Sequence, residues 1–177
     1  MNKTLDKKAG GSNKNKLEKT YMKILMVCVG NLLRSPMAAG ILKDKLKKKN
    51  INDIEVGSAG FESHHINNSA DIRAIELLSS HGIDISDHVM RMFSARDFET
   101  YDKIFVMDSG AYRDTLYFAR NEEDLQKVDF LTNLIYPTQN QAIPDPYHCS
   151  VNTLLKVYNL LDKACSKLAD DISKSQA

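Results

Sequence analysis

MKILMVCV, residues 22–29, is an apolar run of strand length, and the segment behind it brings its apolar residues back with helical spacing. Such a run is what a strand buried on both faces of a parallel sheet requires. In the following segment Ser35 suits an N-cap and Pro36 the first helical position, while Met37, Ile41, Leu42 and Leu46 form a stripe opposite Lys43, Asp44, Lys47 and Lys48. The alternation then repeats. IEVGS reads as a strand, a helix starts near Ser69 with Ile72, Ile75 and Leu78 inward and Gly82 as its stop, and KIFVMD is a third strand. Residues 109–125 read as helix and KVDFL as a fourth strand. Residues 150–173 form a long helix with Val151, Leu154, Leu155, Tyr158, Leu161, Cys165, Leu168 and Ile172 on one face. Strands joined by helical crossovers predict an α/β three-layer sandwich, with a central four-stranded parallel sheet and helices on both faces.

Ligands of such sheets bind beyond the carboxyl ends of the strands, near the point where strand order reverses. Cys28, Ser58 and Asp108 each fall at the end of a predicted strand, so they belong to one crevice. In VCVGNLLRSP, residues 27–36, the chain must turn from strand to helix within a few residues, and Gly30 and Asn31 are the types that best tolerate left-handed backbone. The turn points the backbone N–H groups of Val29, Gly30, Asn31, Leu32 and Leu33 inward. With a helix N-terminus behind them they make an anion cradle, and Arg34 adds a fork that matches two oxygens of a tetrahedral oxyanion. A phosphate-binding loop after the first strand is the result. Its positive potential favours a thiolate on Cys28, a nucleophile at neutral pH, with Ser35 placed to donate a hydrogen bond to it. A thiolate attacking a phosphate ester needs an acid to protonate the departing oxygen. In AIPDPYH, Asp145 sits between two prolines that stiffen its loop, and Tyr147 follows, able to stack on a flat substrate. Asp108 is the competing acid and ranks second, because a carboxylate at a strand end often caps the next helix.

Composition narrows the classes. At 177 residues, with 42% hydrophobic and 27% charged residues, the chain has the balance of a single globular domain. A net charge of +1 calls for neither nucleic acid nor an anionic membrane surface as partner. No signal peptide and no 18-residue apolar run stand out, so the cytoplasm is the expected compartment. Cys28, Cys149 and Cys165 are odd in number and lack a CxxC pair, which argues against a disulfide framework or structural zinc. His64-His65 has no third ligand spaced to join it, so no metal is expected. Residues 1–20 carry six lysines against Asp6 and Glu18 and no apolar period, and read as a disordered basic tail ahead of a domain at 21–177.

The residues resemble the low-molecular-weight protein tyrosine phosphatase family, which shares its fold with thioredoxin-coupled arsenate reductases and protein-arginine phosphatases. VCVGNLLRSPMA, SAG at 58–60, HGIDISDHVMR at 81–91, YDKIFVMD at 101–108 and DPY at 145–147 carry the resemblance in order. It implies that Cys28 is the nucleophile, that Arg34 binds the phosphate and its transition state, that Ser35 assists the thiolate, and that Asp145 is acid and then base. Asn31, Ser58 and His88 correspond to the family's loop-holding network, and no cofactor is implied. The expected partner is a phosphotyrosine-containing protein, with inorganic phosphate as product.

The chain departs from the family pattern at several positions. Leu33 stands where a second cysteine often precedes the arginine, leaving Cys149 as the substitute for trapping an oxidised Cys28. His64 falls at an aromatic wall of the substrate cleft, Phe61 replaces a small or hydroxyl residue, and His148 replaces a second tyrosine. Two other enzyme readings and one binding reading compete. Phosphoarginine hydrolysis would favour threonine where Leu32 stands; arsenate reduction needs two further cysteines near 107–120, where there are none. A catalytically silent phospho-binding module would need neither Cys28 nor Asp145.

Overall fold

The computed structural model describes residues 22–147 and 151–176. The basic tail, His148 and Cys149 lie outside the described residues. The elements run β1 (Met22–Val27), α1 (Arg34–Lys48), β2 (Ile54–Ala59), α2 (Ile72–Ser80), α3 (Asp97–Thr100), β3 (Lys103–Val106), α4 (Ser109–Tyr117), α5 (Glu122–Gln126), β4 (Val128–Phe130) and α6 (Val151–Ser175). The four strands pair in parallel in the order β2-β1-β3-β4. β1 is therefore interior, and the strand order reverses between β1 and β3.

Side-chain alternation along β1 builds two cores. Ile24 and Met26 pack with α1, α2 and α6 on one face, while Leu25 and Val27 pack with Phe93, Phe98 and the α4 side on the other. This is the three-layer sandwich with helices on both faces. On α6 the buried stripe runs through Leu154, Val157, Leu161, Ala164, Cys165 and Leu168, whereas Leu155 is exposed. Ile72, expected inward, opens α2 at the surface, whereas Leu78 faces the core as expected, with Ala74 beside it. Gly82 ends α2 as expected, in left-handed backbone at φ 76°.

The helix expected over 109–125 is two helices. Asn121 sits between them, its side chain accepting from the Asp124 N–H at 2.9 Å to start α5. The start of α1 also differs from expectation. Leu33 holds the N-cap position without a side-chain bond, which places Ser35 and Pro36 inside the first turn. Ser35 is not a cap because its hydroxyl is engaged beneath the loop.

Candidate active site

The loop between β1 and α1 is organised by Asn31, which is fully buried and left-handed at φ 51°. Gly30, the other residue expected there, has no positive φ; its missing side chain instead leaves room for Glu62, whose Oε2 lies 3.0 Å from where a Cβ would stand. Every polar group of Asn31 is used. Its N–H points at Cys28 Sγ at 3.3 Å, its carbonyl takes His88 Nε2 at 2.8 Å, and its Oδ1 accepts from the Arg91 N–H at 3.3 Å. Its amide nitrogen donates to Ser35 Oγ at 2.8 Å and to Ser58 Oγ at 3.0 Å. Because Ser35 Oγ accepts from Asn31, its own hydrogen is free for Cys28 Sγ, 3.0 Å away. The sulfur is thus approached by a backbone N–H and a hydroxyl, both suited to a thiolate.

Two neighbours close the loop from outside. Gly60 has no room for a side chain: a Cβ there would stand 2.8 Å from Val29 O and 2.9 Å from Asn31 N. The Asp71 N–H donates to Leu32 O at 2.9 Å, while the Asp71 side chain caps α2. Hydrogen bonding from Arg73 holds the Asp71 carboxyl below the usual carboxylate range. Arg73 also donates to Tyr147 O at 3.0 Å, tying the same corner to the 143–147 loop. His88 is half-buried, and that burial pushes its pKa down although the bond to Asn31 opposes the shift.

Arg34 is 3% exposed and its fork is held at three points. Nη1 pairs with Asp108 and donates to Ile143 O at 3.0 Å, and Nη2 reaches Asp145 at 2.8 Å. The two carboxylates differ in setting. The Asp145 side chain is 54% exposed and the Asp108 side chain 19%. Asp108 also caps α4, accepting from the Ala111 N–H at 2.7 Å. The ranking of Asp108 as a capping residue therefore holds, but its grip on Arg34 was not legible, since the pair spans 74 residues of chain.

A cleft of about 410 Å³ opens over this loop, lined by Cys28, Arg34, Asp145, Tyr147, His64 and His65 among others. Asp108 does not line it. Glu62 does, beside both histidines, and no sequence pattern had singled it out. Phe61 turns away from the cleft and packs on Phe93 and Phe118, with ring centroids 5.5 and 6.3 Å apart. Cys165 is fully buried against Ala38 O, and burial pushes its thiol up to about 12.

A thiol at the carboxyl end of an interior parallel strand, inside a loop that closes into a helix N-terminus beside a buried guanidinium, defines the class of cysteine-bearing phosphate-loop proteins. Residues 23–177 match the family described as low molecular weight phosphotyrosine protein phosphatase. The chain is 36% identical over 126 residues to low molecular weight phosphotyrosine protein phosphatase 1 of Drosophila melanogaster, covering 71% of this chain and 80% of the relative. It superposes on a protein tyrosine phosphatase from Entamoeba histolytica, crystallised with Hepes in its active site, at a TM-score of 0.80, with 28% identity and coverage of 88% and 99%. It is also similar to a drosophila arginine phosphatase, with a TM-score of 0.79, 32% identity and coverage of 85% and 98%. The chain belongs to the low-molecular-weight phosphotyrosine protein phosphatase family.

Proposed function

We propose that the domain at 21–177 hydrolyses phosphotyrosine monoesters in proteins, in the cytoplasm, through a cysteinyl-phosphate intermediate. The observation that carries this reading is the placement of Cys28, Arg34 and Asp145 around one cleft, with the sulfur supplied with hydrogen-bond donors. Cys28 Sγ attacks phosphorus, the S–P bond forms as the P–O bond to the phenol breaks, and Asp145 gives its proton to the departing oxygen. Water then attacks the cysteinyl phosphate, Asp145 accepts a proton from it, and inorganic phosphate and the thiolate are released. Arg34 and the N–H groups of Val29 to Leu33 stabilise the charge on the equatorial oxygens. Asp145 is assigned as the acid because it lines the cleft, and Asp108 positions Arg34 from behind it.

Tyr147 and His64 line the same cleft and supply walls for an aromatic ring. Ser58 and His88 act through Asn31, holding the loop in the shape that aims its donors. No step calls on a cofactor. Leu32 in place of threonine favours phosphotyrosine over phosphoarginine, although likeness to an arginine phosphatase makes the second substrate the natural control. No helix among the described residues is long and apolar enough to cross a membrane, in keeping with a water-phase substrate.

Phosphate release from a phosphotyrosine peptide and from phosphoarginine, measured side by side, tests the reading. Wild type should release phosphate from the peptide, Cys28→Ser should release none, and Asp145→Asn should lower kcat by about 10²–10⁴. Release mainly from phosphoarginine would overturn the substrate and keep the route. No release from either would leave a phospho-binding module.

A further inference from the structure

Glu62, His64 and His65 offer a carboxylate oxygen and two imidazole nitrogens that all lie within 4.8 Å of one another. The backbone explains why. Ser63–His65 is a turn of 3-10 helix, with the His65 N–H donating to Glu62 O at 3.0 Å, and in that geometry residues three apart stand on the same side. His65 Nε2 lies 3.2 Å from Glu62 Oε2, and the two imidazole rings are 4.0 Å apart. Glu62 stands two residues before His64, so the third ligand that the His64-His65 pair was expected to lack is supplied by this local turn.

We propose that these three residues bind a divalent transition metal of the zinc class at the mouth of the cleft, and that the bound ion inhibits the enzyme. Two nitrogens and one carboxylate oxygen are the borderline donor set that suits zinc, whereas calcium and magnesium favour oxygen alone. Ligands at about 2.0–2.2 Å around a tetrahedral ion stand about 3.4 Å apart, so rotation of the exposed His64 and half-buried Glu62 closes the site. Three protein ligands leave a fourth position open to water. Among the described residues no lysine or arginine forms an ion pair with Glu62 to compete for it. All three residues line the cleft together with Cys28 and Arg34, and Glu62 Oε2 closely approaches Gly30 of the loop. An ion held there stands in the path of an incoming phosphotyrosine side chain; this inhibitory half rests on the function proposed above, and the binding half does not.

Calorimetric titration of the Cys28→Ser protein with Zn²⁺ separates the two halves, since that protein lacks both the thiolate ligand and turnover. One zinc should bind per chain, and Glu62→Gln or His65→Ala, added singly, should weaken binding by at least about tenfold, the cost of disturbing even a ligand's hydrogen-bond partner. Co²⁺ bound to wild type should give visible d–d bands without a sulfur charge-transfer band. In the cysteine-intact protein Zn²⁺ should slow peptide hydrolysis, and His65→Ala should raise the inhibitory concentration by a like factor relative to its own zinc-free rate. Zinc binding that disappears with Cys28→Ser, or that ignores both Glu62→Gln and His65→Ala, would overturn the site. Binding without inhibition would overturn the regulatory role, and absence of any phosphatase activity would strike the proposed function while the calorimetry still reports on the metal.

Discussion

Asn31 concentrates five hydrogen bonds on one residue, and that makes each of its partners a candidate for long-range effect on the loop. His88 is the titratable one. Burial holds its folded-state pKa below the ordinary 6.5, with the Lys43 charge acting the same way and Asp87 and the Asn31 carbonyl against it. The unfolded chain therefore binds more protons just below that value, and stability rises with pH through the window. Its contribution is complete above about pH 6.5 and is lost as pH falls through the lower folded-state value. His88→Ala should cost about 1 kcal/mol in urea unfolding at pH 7.5, the worth of one hydrogen bond, and less at pH 5.5. A cost that stays constant or grows on acidification would show that the imidazole is not held neutral against Asn31.

At the scale of elements, the backbone of the 57–60 segment governs the loop as strictly as the loop's own sequence does. Phe61 N–H donates to Val29 O at 2.7 Å, and Gly60 lies flat against Val29 and Asn31. In Gly60→Ala the new methyl meets backbone atoms at 2.8 and 2.9 Å, which no side-chain rotation relieves. A loop displaced by roughly an ångström should lose about 10²-fold in kcat/KM, with competitive inhibition by phosphate weakened in step, because the same N–H groups serve both. Unchanged kinetics in a folded Gly60→Ala protein would mean that the loop tolerates the shift. The elements themselves were largely legible, because strand runs and helical stripes are local patterns. Departures arose in the first turns of helices. Ser35 looked like a cap and was recruited by Cys28 and Asn31 instead, while Ile72 begins α2 at the surface. The break before α5 was readable in principle: Asn121 followed by Glu122, Glu123 and Asp124 is a capping signal with acids in the first turn. The Asp108–Arg34 pair was not readable, since the fold alone brings those side chains together; the Glu62 cluster is local in sequence, and what was not readable is the 3-10 turn that aims its side chains at one point.

For the whole molecule, the distribution of thiols decides how it meets oxidants. Cys28 opens into the cleft, whereas Cys165 is sealed in the core between α1 and α6 with its thiol pushed up to about 12. Reactivity follows thiolate character and access, so Cys165 is inert in the native state. Leu33, buried beside Arg34, puts an isobutyl group where a neighbouring thiol would have resolved an oxidised Cys28. Peroxide converts the Cys28 thiolate to a sulfenic acid, and with no partner thiol beside it among the described residues a second equivalent carries it to the sulfinic acid, which thiols do not reduce. Peroxide should therefore inactivate the enzyme with little recovery in dithiothreitol, and phosphate occupying the loop should slow the loss. Peptide mass spectra should show oxygen added at Cys28, with Cys165 unmodified until the chain is unfolded. Rapid, full recovery accompanied by a Cys28 disulfide to Cys149 would overturn this, because a resolving thiol would then have come from outside the phosphate loop.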